Sequence, residues 1–207
     1  YANLIDWHCE LERPEHTVLD KWILAKFTEL ILLVNSSLEK YDPVTAARSI
    51  EDFVINDFST WYIRRSRDRV GPSADEKDRN LTLGVMYGVI VGLSKIMAPF
   101  MPFISEEIYR NIAFDESVHL TDYPKGDESM LDKKLVADMK KVREIVEKGH
   151  ALRKDAAIKL RQPLTEVSYL SKEQLNEELE KIIADELNVK AVEFKKSSKE
   201  LEVNLNT

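Results

Sequence analysis

Cysteine is almost missing from this chain: Cys9 is the only one in 207 residues, so no intrachain disulfide can form and nothing points to an oxidising compartment. Histidine is scarce as well. His8, His16, His119 and His150 are scattered, and no pair of them has metal-ligand spacing with Cys9. No Gly-x-Ser-x-Gly elbow, phosphate-cradling glycine loop or dinucleotide fingerprint occurs. Glu106-Glu107 is a tempting carboxylate pair, but adjacent residues on a helix point about 100° apart and form no acid/base dyad. Capping or solvating a short helix is their ordinary role. Residues 1–16 mix Asp6, Glu10, Glu12 and Glu15 with aromatics and hold no apolar run of the secretory kind, so a cytoplasmic location is expected. Long apolar runs are also lacking. In Leu81–Ile104 the only charge is Lys95, and the uncharged part before it spans 14 residues, short of the roughly 20 that a bilayer needs. Pro99 and Pro102 then end the helix. A buried core helix is expected, with no membrane partner.

Hydrophobic residues make up 43% and charged residues 32%, enough for a real core. The net charge is −7, which excludes a uniformly basic coat but leaves room for a local basic patch. Two patches stand out. Lys133–Arg161 holds ten Lys/Arg against four acids, a local +6 that leaves −13 for the rest; this is either a phosphate-attracting face or a solvated helix laced with ion pairs. The sharper patch is Trp61-Tyr62-Ile63-Arg64-Arg65-Ser66-Arg67, with Arg69 beyond it. Arginine's planar fork donates two hydrogen bonds at once, which suits phosphate. Complementing a helix dipole accounts for one or two arginines at a helix end, not four in six residues. On a helix Arg65 and Arg69 share a face while Arg64 points about a third of a turn away. Such a fan fits a nucleic-acid backbone better than a small-molecule pocket. Trp61 is read first as a core anchor and second as a platform for a base.

The periodicity predicts a first helix over Val18–Lys40, with Leu19, Trp22, Ile23, Phe27, Leu30, Ile31, Val34 and Leu38 on one face. Asp42-Pro43 opens a second helix that buries Ala47, Ile50, Val54, Phe58 and Trp61 and runs toward Arg69. Ser73 with Glu76 reads as a capping box for a third helix burying Leu83, Met86, Ile90, Leu93 and Met97. Three of the six glycines, Gly84, Gly88 and Gly92, lie four apart on it. Since each costs about 1 kcal/mol relative to alanine, a closely packed neighbour is expected along that stripe. A short helix, Ile104–Ala113, presents Ile104, Ile108 and Ile112, and a long final helix follows with Leu131, Leu135, Met139, Val142, Ile145 or Val146, and Leu152. This is the pattern of an antiparallel bundle. After Pro163 the period changes: Thr165, Val167 and Tyr169 read as a strand. Ser171 with Gln174 caps a helix burying Leu175, Leu179, Ile182, Ile183 and Leu187, and strands at Val189–Lys195 and Leu201–Leu205 flank a Lys-Ser-Ser-Lys turn. The fold class expected is mainly α, a helical bundle followed by a small α+β unit.

Several segments together resemble the tRNA anticodon-binding region of the isoleucyl-tRNA synthetases. They are Leu19-Asp20-Lys21-Trp22-Ile23-Leu24, Tyr41-Asp42 with Ala46–Val54, the Trp61–Arg67 element, Met97–Tyr109, Ser117-Val118-His119-Leu120, Leu152-Arg153 with Ile158–Leu164, and Glu186–Lys190. The Ala98-Pro99-Phe100-Met101-Pro102-Phe103 and Ser117-Val118-His119 elements are similar across the valyl, leucyl and isoleucyl branches. Trp61–Arg67 and Ile158-Lys159-Leu160-Arg161-Gln162-Pro163-Leu164 look like the isoleucyl branch in particular. The resemblance implies a connecting segment over 1–16, an anticodon-binding bundle of that type over 17–156 and the start of a C-terminal extension over 157–207. It also implies a monomer working beside catalytic and editing domains of the same parent chain, whose motifs are not in this sequence. This chain alone should therefore be inactive. The partner implied is the anticodon stem-loop of an isoleucine tRNA. Its contacts are expected from Arg64, Arg65, Arg67 and Trp61 first, then from Lys159, Arg161 and Gln162. ATP with Mg is implied for the catalytic domain, and neither cofactor nor metal for this chain; some family members end in a cysteine zinc site that these residues cannot form. Two alternatives stay open: the valyl or leucyl branch, and a helical protein-interaction scaffold using the Gly84–Gly92 face.

Overall fold

The computed structural model of the chain describes residues 16–113, 115–197 and 201–206, which fall into two units divided between Asp132 and Lys133. The connecting segment expected over 1–16 lies outside the described residues apart from His16.

In the first unit, Thr17 starts helix α1 (Val18–Glu39) with a reciprocal cap: its hydroxyl accepts from the Asp20 N–H, and the Asp20 carboxylate accepts from the Thr17 N–H. Leu19, Trp22, Ile23, Leu30, Ile31 and Val34 are buried as the spacing predicts. Helix α1 packs against α2, α3 and the segment after α2, so it is the unit's central helix. Helix α2 (Pro43–Asp52) has Asp42 as its cap, accepting from the Thr45 N–H at 3.0 Å, and proline at its start.

Beyond α2 the chain departs from the expected α-helix. Phe53–Ile63 is a π-helix, in which hydrogen bonds reach five residues back instead of four. The Thr60 hydroxyl donates to the Ile55 carbonyl at 2.7 Å across the same spacing. Phe53 and Phe58, five apart, stack with ring centroids 6.2 Å apart, and Phe58 stacks on Tyr62 at 6.0 Å. The wider turn changes the buried stripe. Ala46, Ile50, Phe53, Phe58, Trp61 and Tyr62 are buried, whereas Ala47 is exposed and Val54 only half-buried.

Helix α3 (Glu76–Met97) begins later than the Ser73 cap predicted: Asp75 is the cap, accepting from the Asp78 N–H at 3.0 Å. By length and composition α3 is apolar enough to cross a bilayer; here it packs against α1 and α4 (Pro102–Ala113). Leu83 and Leu93 are buried as the spacing predicts, but Met86, Ile90 and Met97 are half-buried, and Thr82, Val89 and Ile96 lie deepest. The buried face is shifted in part because α3 is apolar on more than one side and packs against both α1 and α4, so spacing alone could not choose between them. The glycine stripe resolves unevenly. A Cβ at Gly92 would sit 2.6 Å from the Phe27 ring of α1, but at Gly84 and Gly88 it would meet nothing within 4 Å. Close approach is therefore confined to Gly92. Helix α4 starts at Pro102 and buries Ser105 and Tyr109, which leaves Ile104 exposed. The Glu106 carboxylate accepts from the Val118 N–H at 2.9 Å and the Ser117 hydroxyl at 3.0 Å, tying down the 3-10 turn Val118–Leu120. That is a capping role.

In the second unit, α5 (Lys133–Asp155) packs against α6 (Glu177–Leu187) and β3 (Glu202–Asn206). A Cβ at Gly149 of α5 would fall 2.5 Å from Leu187 of α6, so the two helices meet closely there. The sequence assigns α5 to the bundle. The structural division falls one helix earlier than the boundary expected at 156/157. Asn176 caps α6, accepting from the Leu179 N–H at 2.8 Å; Ser171, the predicted cap, ends strand β1 (Leu164–Ser171) instead. Leu179, Ile182, Ile183 and Leu187 form the buried face, as read from the spacing. The sheet runs β2-β1-β3. Strand β2 (Val189–Lys196) lies parallel to β1, with Tyr169 opposite Phe194, and β3 lies antiparallel to β1, with Tyr169 opposite Val203. The last two strands thus flank β1 and do not pair as a hairpin; α6 makes the crossover that a parallel pair requires.

Candidate nucleic-acid interface

The π-helix sets the geometry of the first basic patch. Its backbone continues to the Arg64 N–H, which bonds to the Ser59 carbonyl five residues back, so the arginines leave the end of a wide, rigidly packed turn. Trp61 is 8% exposed, with the Arg64 guanidinium over its ring, 5.9 Å from the centroid. That burial makes Trp61 part of the packing beneath the arginines and not a platform for a base. Arg64 is exposed, and its Nε also donates to the Thr60 carbonyl at 2.8 Å. These two contacts orient the side chain along the surface. Arg67 is exposed and Arg65 half-buried.

Arg69, the fourth arginine of the run, turns inward. It grips Asp78 through Nε and Nη2, the shortest contact being 2.6 Å, and Asp20 through Nη1 at 3.0 Å and Nη2 at 2.9 Å. Asp20 is 0% exposed. It accepts further bonds from the Tyr62 hydroxyl at 2.6 Å and the Thr17 hydroxyl at 2.7 Å. Burial alone would raise this carboxyl's pKa. Hydrogen bonds from Arg69 and Tyr62, with the Arg69 charge, outweigh it and hold the pKa below the usual carboxylate range. Burial and the adjacent Asp20 push the Tyr62 phenol far above its ordinary value. The pair Trp61-Tyr62 therefore divides its work: Trp61 supports Arg64, and Tyr62 is fastened through Asp20 to Arg69. Sequence reasoning missed this hub. The available signal was Thr17-x-x-Asp20, a capping pattern that places an acid at the mouth of the central helix.

The second patch lies in the other unit. The loop 156–163 leaves α5 with Ala157 in a left-handed conformation, φ 54°, and enters β1. Lys159, Arg161 and Gln162 are all exposed on it, as are Lys154 before it and Leu160 within it. Beneath the loop is Arg153, 2% exposed. The sequence counts Arg153 among the surface cations of the +6 stretch; the structure buries it, four residues after the buried Gly149 on the same face of α5. Arg64, Arg65 and Arg67 thus lie in the first unit, with Arg64 and Arg67 exposed and Arg65 half-buried, and Lys159, Arg161 and Gln162 lie exposed in the second.

The chain is thus a helical unit that carries a run of arginines, followed by a small α+β unit that carries a basic loop. Residues 20–169 match the family model described as the anticodon-binding domain of tRNA ligase. The chain belongs to that family. Among its relatives, the isoleucine–tRNA ligase of one Dehalococcoides mccartyi strain is 40% identical over 191 residues, covering 87% of this chain and 18% of the relative. That of Thermus thermophilus is 37% identical over 201 residues, covering 92% and 19%. That of Pyrococcus horikoshii is 38% identical over 195 residues, covering 90% and 18%. The chain spans about a fifth of the length of these relatives.

Proposed function

We propose that this chain docks the anticodon stem-loop of an isoleucine tRNA, as part of an isoleucine–tRNA ligase that joins isoleucine to its tRNA using ATP. One observation carries the reading: identity of 37–40% with proteins named isoleucine–tRNA ligase, over most of the chain. The geometry gives it a mechanism. Arg64 and Arg67, with the reachable part of Arg65, take phosphates of the stem-loop backbone, and Lys159, Arg161 and Gln162 take a second stretch. Binding of this kind positions the RNA; it performs no bond chemistry, and no step that uses ATP and Mg is assigned to these residues. The parent works as a cytoplasmic monomer, with the catalytic and editing parts elsewhere in the same polypeptide.

The test is a salt titration of stem-loop binding. Arg64→Ala and Arg67→Ala should each weaken binding and lower the slope of log K against log salt by about one unit, the signature of one lost phosphate contact. Unchanged affinity and slope in both variants would remove the phosphate role. Competition among isoleucine, valine and leucine stem-loops separates the branches. The scaffold alternative predicts binding that resists both salt and ribonuclease.

A further inference from the structure

The buried arginine under the loop is the feature that RNA docking alone does not use. Among the described residues, Arg153 has no carboxylate as a hydrogen-bond partner. Its Nη1 donates to the carbonyls of Lys159 at 3.2 Å and Gln162 at 3.1 Å, and its Nη2 to those of Leu187 at 2.5 Å and Asn188 at 3.2 Å. Its Nε is buried with no partner among the described residues. One guanidinium thus fastens two separate chain segments, the loop after α5 and the corner between α6 and β2. The corner returns the hold. The Asn188 side-chain amide donates to the Leu160 carbonyl at 2.9 Å, and the Leu164 N–H donates to the Asn188 carbonyl at 3.1 Å.

The carbonyls of Lys159, Leu160 and Gln162 are all turned toward the protein by these bonds, while the side chains of residues 159–162 are all exposed. Burying a cation is costly unless its geometry is used, and an apolar residue would hold α5 against α6 without that cost. A planar fork with five N–H donors can hold all four of these carbonyls, spread over two segments, whereas a compact ammonium with three donors cannot match them one for one.

We infer that Arg153 is a positioning residue: it sets the backbone course of loop 156–163, so that Lys159, Arg161 and Gln162 are presented together to the RNA backbone. This rests on the RNA reading above. Arg153 itself touches no RNA.

Three variants of the 207-residue chain test it, each checked for folding by circular dichroism and bound to an isoleucine tRNA anticodon stem-loop transcript across a salt series. Arg153→Lys keeps the charge but loses the fork. It should lower the salt slope by about two units, as if both loop cations had been lost, and should speed amide hydrogen exchange at Gln162. Asn188→Gly tolerates the left-handed backbone that Asn188 adopts at φ 48° and removes only the hold on Leu160. It should shift slope and exchange in the same direction by a smaller amount, and it carries the test if Arg153→Lys fails to fold. The double variant Lys159→Ala with Arg161→Ala is the control. If its slope equals the wild type's, the loop does not contact RNA, and the positioning role fails with that reading. If its slope falls while both Arg153→Lys, when folded, and Asn188→Gly keep the wild-type slope and affinity, the positioning role alone is overturned.

Discussion

Replacing Asp20 with alanine is the most severe single change that the first unit's polar hub allows. Asp20 accepts from the Tyr62 hydroxyl at 2.6 Å, from Arg69 at 2.9 and 3.0 Å, and from the Thr17 hydroxyl and N–H at 2.7 and 3.1 Å. Removing one partner of a buried pair costs about 3–5 kcal/mol. Here Arg69 keeps Asp78 at 2.6 Å and does not become an isolated charge. The Tyr62 hydroxyl, by contrast, is left buried without its acceptor, itself worth about 1–3 kcal/mol. The two considerations place the loss at about 3–4 kcal/mol, or about 10–15 °C in the melting of a unit this size. Tyr62→Phe keeps the stacked ring and the Asp20–Arg69 pair, so it should cost only about 1 kcal/mol. Urea unfolding followed by tryptophan fluorescence isolates the relevant unit, because Trp7, Trp22 and Trp61 all fall within residues 1–132. The pH dependence has a definite sign. Asp20's folded pKa is lowered, so its contribution is complete above the unfolded value of about 4 and is lost as pH falls through the folded one. The stability gap between wild type and Asp20→Asn should stay level from about pH 5 to 8 and close only in acid, below about pH 4. A loss under about 1 kcal/mol for Asp20→Ala, or a Tyr62→Phe loss as large as it, would refute the hub.

The glycines give a prediction of opposite signs on one helix. Gly84→Ala meets open space and should stabilise by about 0.5–1 kcal/mol through helix propensity, whereas Gly92→Ala drives a methyl into the Phe27 ring and should cost about 1–3 kcal/mol, both read by thermal melting. In the second unit, the Tyr169 hydroxyl donates to Glu180 at 2.7 Å and accepts from the Leu175 N–H at 3.0 Å. Tyr169→Phe should therefore destabilise by about 1–3 kcal/mol and expose the Leu175 amide to exchange, with no effect on the salt slope of RNA binding.

Element types were legible where one pattern dominated. α1, the Asp42-Pro43 start of α2 and the buried face of α6 followed directly from spacing and capping chemistry. The misreadings share a cause, which is that local patterns have near-equal competitors up to five residues away. Ser73 and Asp75 both offer an oxygen ahead of α3, and Ser171 and Asn176 both offer one ahead of α6; tertiary packing chose the later residue each time. The π-helix was invisible because Phe53, Phe58, Trp61 and Tyr62 also satisfy a three-to-four spacing if Val54 stands in for Phe53. The side of α5 that its stripe would face was equally undetermined, since a regular apolar stripe does not name its partner.

The site was legible as a cluster and illegible as a division of labour. Four arginines in six residues read as one patch, yet Arg69 is drawn under by Asp20, an acid 49 positions earlier in the chain. Arg153 is likewise drawn under by carbonyls, groups that every residue carries and that no sequence pattern marks. In both patches an inward arginine and exposed basic residues come from the same short stretch: Arg69 is half-buried on Asp20 and Asp78, and Arg153 is buried on carbonyls. A basic run in an RNA-docking module is therefore best divided by asking which member has an acceptor waiting inside. At Trp61–Arg69 that member is the last arginine, and in the 153–161 stretch it is the first.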